Sequence, residues 1–116
     1  MSRGASAAAR KLEDAAPVFA ALGDETRLRL VARLCADGPL SITKLSDDAA
    51  ISRQAITKHL EALAAAGLVK GTSRGRERIW ELEPRRLEGA RRYLDDVSEQ
   101  WDAALGRLKR LVEGGG

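Results

Sequence analysis

The stretch "SITKLSDDAAISRQAITKHLEALAAAG", residues 41–67, decides how the chain is read. It opens with a short helix that Ser41 caps, with Ile42, Leu45 and Ala49 facing inward. A few residues later Ser52 caps a longer helix, which Gly67 ends. On a helical wheel Ile56, Leu60, Leu63 and Gly67 share one face of that helix. Gln54, Thr57, Lys58 and Glu61 lie opposite, and Arg53 projects from the first turn. Short helix, tight turn and longer helix with a polar face make a helix-turn-helix.

A polar helix face is usually a solvated surface, so its residue types and its neighbours have to decide what it does. An α-helix fits the DNA major groove, where Arg pairs with guanine, Gln with adenine, and Thr with either edge or a thymine methyl. Ser52 and the first-turn N–H groups suit a phosphate. Downstream, "LVKGTSRGRERIWEL" changes from helical to alternating periodicity. It reads as two β segments, 68–72 and 77–82, around "SRGR", where Gly75 takes positive φ in the turn. Trp80 and Leu82 share the face that packs on the helices, and Arg76 and Arg78 cluster towards the tip. Arg53, Lys58, Lys70, Arg74, Arg76 and Arg78 lie between residues 52 and 80, against Glu61 and Glu77. A recognition helix followed by a basic β-wing is the layout of a winged helix that binds DNA.

Upstream, residues 1–10 carry no apolar stripe and read as a mobile tail. Leu12, Ala15, Phe19 and Leu22 then recur at helical spacing, with Pro17 suited to a first turn. Asp24 caps a second helix whose buried stripe is Leu28, Val31, Leu34 and Cys35, and Gly38-Pro39 stops it. Pro84 opens a last helix reaching about Val112, before a frayed "EGGG". Its apolar positions, Leu87, Ala90, Leu94, Val97, Trp101, Ala104, Leu108 and Leu111, alternate steps of three and four. So long a seam asks for another helix.

Composition agrees with one small, mainly helical domain. The 116 residues are 44% hydrophobic, 32% charged and only 3% aromatic, so the core is built from aliphatic residues and Ala. A net charge of +3 decides little, because the location of the charge matters more than its sum. The single Cys excludes an intramolecular disulfide and a Cys-rich metal site. There is no apolar run of membrane-spanning length and no secretory signal, so the expectation is a cytoplasmic protein with no membrane partner.

The runs "ALGDETRLRLVARL", "ISRQAITKHLEALAAAGLV" and "GRERIWEL" resemble the ArsR-type family of small winged-helix transcriptional repressors over residues 17–112. The fold class expected is mainly α with a two-stranded β-wing, a winged helix-turn-helix dimerising through its terminal helices. The whole chain is then one domain, with the helix-turn-helix at 41–67, the wing at 68–82 and the dimerisation helix at 85–112. The resemblance implies a homodimer on an imperfect inverted repeat in a promoter. On that basis Arg53, Gln54 and Thr57 read bases, and Ser52, Lys58 and His59 hold phosphates. Arg74 and Arg76 lie in the wing. The dimer interface is assigned to Phe19, Leu22, Leu94, Val97, Trp101, Leu105, Leu108 and Leu111.

Many members of that family carry paired cysteines near the third helix, or Asp and His ligands in the last one. Here "SITKLSDDAA" has no cysteine, and the last helix has Asp95, Asp96 and Glu99 but no His. Soft metals need sulfur pairs and zinc prefers imidazole, so neither a metal site nor a cofactor is expected. Cys35 reads as a buried apolar filler, and Asp95, Asp96 and Glu99 as a solvated outer face. A packed, hydrogen-bonded role suits His59 as well as a phosphate contact. No triad or phosphate loop supports an enzyme. The competing function is a winged-helix protein-interaction module that does not read DNA, for which an apolar or acidic helix and wing would be expected.

Overall fold

The computed structural model describes residues 6–47 and 49–114. Helices α1 (Ser6–Leu22) and α2 (Glu25–Asp37) lead through a two-residue strand, β1 (Leu40–Ser41), into α3 (Ile42–Asp47) and α4 (Arg53–Ala65). A hairpin of β2 (Val69–Arg74) and β3 (Glu77–Leu82) follows, and α5 (Pro84–Gly114) completes the chain.

Side-chain caps set the helix starts in the middle of the molecule. The Asp24 carboxylate accepts the Arg27 backbone N–H at 3.0 Å. Ser41 Oγ accepts from Lys44 N at 3.1 Å, and Ser52 Oγ from Ala55 N at 3.1 Å. Each bond satisfies a first-turn donor that the helix itself leaves unpaired. All three caps are those expected from the sequence.

The core gathers Val18, Leu30, Leu34, Ile42, Leu45, Ile56, Leu60, Leu63, Leu68 and Val69 around Trp80, which is 1% exposed. Trp80 reaches it because β2 and β3 pair antiparallel in the register Val69↔Leu82, Gly71↔Trp80 and Ser73↔Arg78. That register puts Val69, Gly71, Trp80 and Arg78 on the sheet face turned to the helices.

Several expectations need correction. The sheet has three strands in the order β1-β3-β2, because Leu40 and Ser41 pair with Trp80 and Ile79. Two residues cannot display a period of two, so β1 left no trace in the sequence pattern. The first helix begins at Ser6, so residues 6–10 are helical, while residues 1–5 of the expected tail lie outside the described residues. Pro17 sits inside α1, well past its first turn, in a run whose alanines favour helix strongly. Leu12 is exposed, and the stripe α1 buries is Ala15, Val18 and Ala21.

In α2 the buried stripe is Leu30, Val31 and Leu34. Leu28 and Cys35, expected inside, are exposed. They stand one heptad apart, roughly a hundred degrees round the helix from the centre of that stripe. Finally, α5 runs on to Gly114, two residues past its expected end.

A candidate nucleic-acid interface

Helix α4 packs Ile56, Leu60 and Leu63 into the core, which fixes the direction of everything else on it. Arg53, Gln54, Lys58 and Glu61 are exposed and Thr57 partly so. The Thr57 hydroxyl donates to the Arg53 carbonyl at 2.9 Å. Its proton is therefore spent, and towards a partner Thr57 presents an acceptor lone pair and a methyl group. Ser52 Oγ accepts the Ala55 N–H, so its own O–H remains available as a donor at the helix N-terminus.

His59 is placed differently from its neighbours. It is one of three groups tying α4 to the start of α2, and its ring is largely covered. Arg27 Nε donates to His59 Nδ1 at 3.3 Å, and Arg27 Nη1 donates to the Ala21 carbonyl at 3.3 Å. Asp24 Oδ2 stands 3.8 Å from the same imidazole nitrogen. The Arg27 backbone N–H holds the Asp24 carboxyl below its usual range; desolvation opposes this, and the charge of His59, when that ring is protonated, and the charge of Arg27 reinforce it. With Nδ1 occupied as an acceptor, only Nε2 of His59 is left to meet a ligand.

The hairpin turn is Gly75-Arg76, between the paired residues Arg74 and Glu77. Gly75 has φ +60, and Arg76 has none of the positive φ a type I′ turn would need, so the turn is of the II′ kind. Arg74 and Arg76 are exposed at its tip. Glu77, the acidic residue among them, accepts the Thr43 hydroxyl at 2.7 Å and so ties the wing to α3.

Charge on this side of the molecule is not mutually cancelled. Lys70 faces Glu81 at 3.5 Å and Glu83 at 4.0 Å. Among the described residues, no carboxylate lies within ion-pair distance of Arg53, Lys58, Arg74, Arg76 or Arg78. Lys44, on α3 and exposed, belongs with them and was not singled out in the sequence. A first helix of such a pair crosses the DNA backbone, and that rule alone would have flagged its lysine. Unpaired cations on two adjacent elements attract a polyanion and gain by releasing its counterions.

The terminal helices lie against each other away from this surface. Phe19 and Tyr93 rings are 6.0 Å apart at 53°, and Lys11 Nζ meets Asp96 Oδ2 at 3.0 Å. Phe19, Leu22 and Val97 are partly covered, while Leu94, Trp101, Leu105, Leu108 and Leu111 are exposed. Among the described residues no three His, Cys, Asp or Glu side chains gather as metal ligands, and no helix is long and apolar enough to cross a membrane.

Residues 22–72 match the family of helix-turn-helix domains. The HTH-type transcriptional regulator Rv2034 of Mycobacterium tuberculosis is 38% identical over 96 residues, spanning 83% of this chain and 86% of that protein. The structure of an ArsR-like transcriptional regulator from Rhodococcus sp. RHA1 superposes with a TM-score of 0.71 at 37% identity, covering 85% of this chain and 92% of that one. The fold is also that of a homodimeric winged helix-turn-helix DNA-binding domain from Mycobacterium bovis. That likeness has a TM-score of 0.62 at 23% identity and covers 86% and 88% of the two chains.

Proposed function

The chain belongs to the ArsR-like family of winged helix-turn-helix transcriptional regulators, and from that premise we propose that it is a homodimeric repressor. It reads an inverted repeat in a promoter, blocks that promoter by occupying it, and does not answer to metal ions. One observation carries the reading: a polar α4 face and a basic wing whose cations, Lys70 apart, have no carboxylate partners among the described residues. A protein-binding winged helix would be expected to carry apolar or acidic residues there instead.

In this reading α4 enters the major groove. Arg53 suits guanine and Gln54 adenine. Thr57, limited to accepting, suits the amino group of cytosine or adenine, or a thymine methyl. Ser52, Lys58 and Lys44 hold the phosphates, and Arg74 and Arg76 extend the charged surface along the wing. His59 contributes through Nε2 or through the packing of α4 alone. The exposed side of α5, with Phe19 and Leu22 of α1 beside it, joins two copies. Their two α4 helices then meet half-sites about 34–36 Å apart, one turn of DNA.

Metal independence rests on the donor set. Cys35 is a lone thiol, and His59 Nδ1 is already engaged. Asp95, Asp96 and Glu99 are hard oxygen donors that favour weak, water-rich sites. The test is to sequence the fragments of its own genome that the purified protein retains at physiological salt. The best fragment is then used in a gel shift with and without zinc, cadmium or arsenite. Enrichment of one two-fold-symmetric sequence, bound equally with each ion, is expected. Retention of no sequence above background favours the protein-interaction reading, and chelator-reversible release by a stoichiometric ion refutes metal independence.

A further inference from the structure

Arg78 differs from the tip cations Arg74 and Arg76 in being held. Its guanidinium carbon lies 4.8 Å from the centroid of the Trp80 ring, and Trp80 itself is locked in the core. The two side chains are two residues apart on β3 and so project from one face, the face turned to the helices. Across the ladder stand Ser73, opposite Arg78, and Gly71, opposite Trp80. A Cβ on Gly71 would come within 2.7 Å of Arg78 Nε and 3.1 Å of the Trp80 ring. The missing side chain at position 71 is what lets the guanidinium lie where it does.

The same guanidinium is unspent. Among the described residues no carboxylate or carbonyl accepts from it. Stacking engages its flat face and leaves its edge N–H donors in a fixed fork, the geometry that matches a phosphate. The tip residues Arg74 and Arg76 have no such support. They supply charge at the cost of ordering two long side chains on binding.

We propose that Arg78, seated on Trp80 over Gly71, is the wing's pre-organised contact to a DNA backbone phosphate. This rests on the reading that the wing meets DNA, and the experiment separates the two. Fluorescence anisotropy of a mixed-sequence duplex suffices, since a phosphate contact is independent of sequence. The full-length protein is titrated at several potassium chloride concentrations.

Arg78→Gln should lower the log–log salt slope by about 0.9 and weaken binding on the order of tenfold. Arg78→Lys should keep the slope and lose roughly two- to fivefold, the worth of an exposed cation–π contact. Gly71→Ala, which removes no charge, should weaken binding because the guanidinium must leave its seat. If Gly71→Ala fails to fold, the two Arg78 variants still decide. An Arg78→Gln slope equal to wild type, with a flattened Arg74→Ala/Arg76→Ala slope, would overturn the proposal and keep the wing on DNA. Wild-type slopes in both would overturn the wing reading itself. An Arg78→Lys protein that binds like wild type would show that charge, and not the held geometry, is what counts.

Discussion

Gln54 stands on α4 directly opposite the buried Ile56, Leu60 and Leu63, so its side chain has no part in the core. Gln54→Ala should cost about 1–3 kcal/mol of discrimination at one operator position and leave thermal stability unchanged. Binding to operator and random duplex should be compared, and an equal loss on both would remove Gln54 from the base contacts. Asp24 makes a second residue-scale prediction, in pH. Its folded carboxyl titrates below the ordinary value of 3.8, chiefly because the Arg27 N–H stabilises the ionised form. A depressed carboxylate contributes stability above its unfolded pKa and loses it as pH falls through the folded one. Asp24→Asn keeps a good cap but no charge. Wild type should therefore exceed the variant in urea melts at pH 7, and the gap should close below about pH 3.8; a constant gap across that range would refute the assignment. At this scale the caps and the face of α4 were legible, because each depends on a local spacing. Leu28 and Cys35 were not, because both flank the buried arc and only tertiary packing chooses which flank is covered. The partnership of His59 with Arg27, 32 positions away, has no local signature at all.

Among the elements, α1 is the one whose sequence argues with itself. Pro17 lies in its interior, where it cannot donate to the Glu13 carbonyl and crowds that turn. The helix persists because alanines surround it and Ala15, Val18 and Ala21 are buried against the core. Pro17→Ala should restore the bond and raise stability, by on the order of 1–3 kcal/mol. A thermal melt that falls instead would mean that the neighbouring packing depends on the proline's geometry. The same conflict hid the helix start, since a proline reads most naturally as a beginning. The hairpin was legible from its alternation and from Gly75, whereas β1 became visible only through its partner Trp80.

The whole molecule measures 67 × 38 × 20 Å, with a radius of gyration of 19.2 Å. A compact domain of this length would have about 13 Å. The excess is α5, a rod of roughly 46 Å at 1.5 Å per residue. Trp101 is 63% exposed and Leu111 73%, so an apolar stripe runs along a helix that its own chain does not cover. The three-and-four stepping from Leu87 to Leu111 announced such a seam, but only the fold shows that its last buried position is Ala90 and that partial cover of the seam ends at Val97. Leu108→Glu should leave the monomer folded, because position 108 is exposed within one chain. It should cost the dimer several kcal/mol by setting an ionised, unpaired carboxylate in the seam. Sedimentation of wild type as a dimer and of the variant as a monomer is the expected result; wild-type monomer at micromolar concentration would refute it.

That uncovered rod also bears on how long a single copy survives. A helix of some fifteen residues without tertiary support is marginal in water. The stretch beyond Gln100 is of that kind, and it carries Arg107, Lys109 and Arg110. An unmated chain should therefore fray there and be clipped by a trypsin-like protease, while a mated pair resists. Turnover then falls hardest on chains made in excess of partners or freshly diluted by cell division. Cleavage that slows as protein concentration rises would be its signature, and the abundance of the regulator would be policed by its own longest helix.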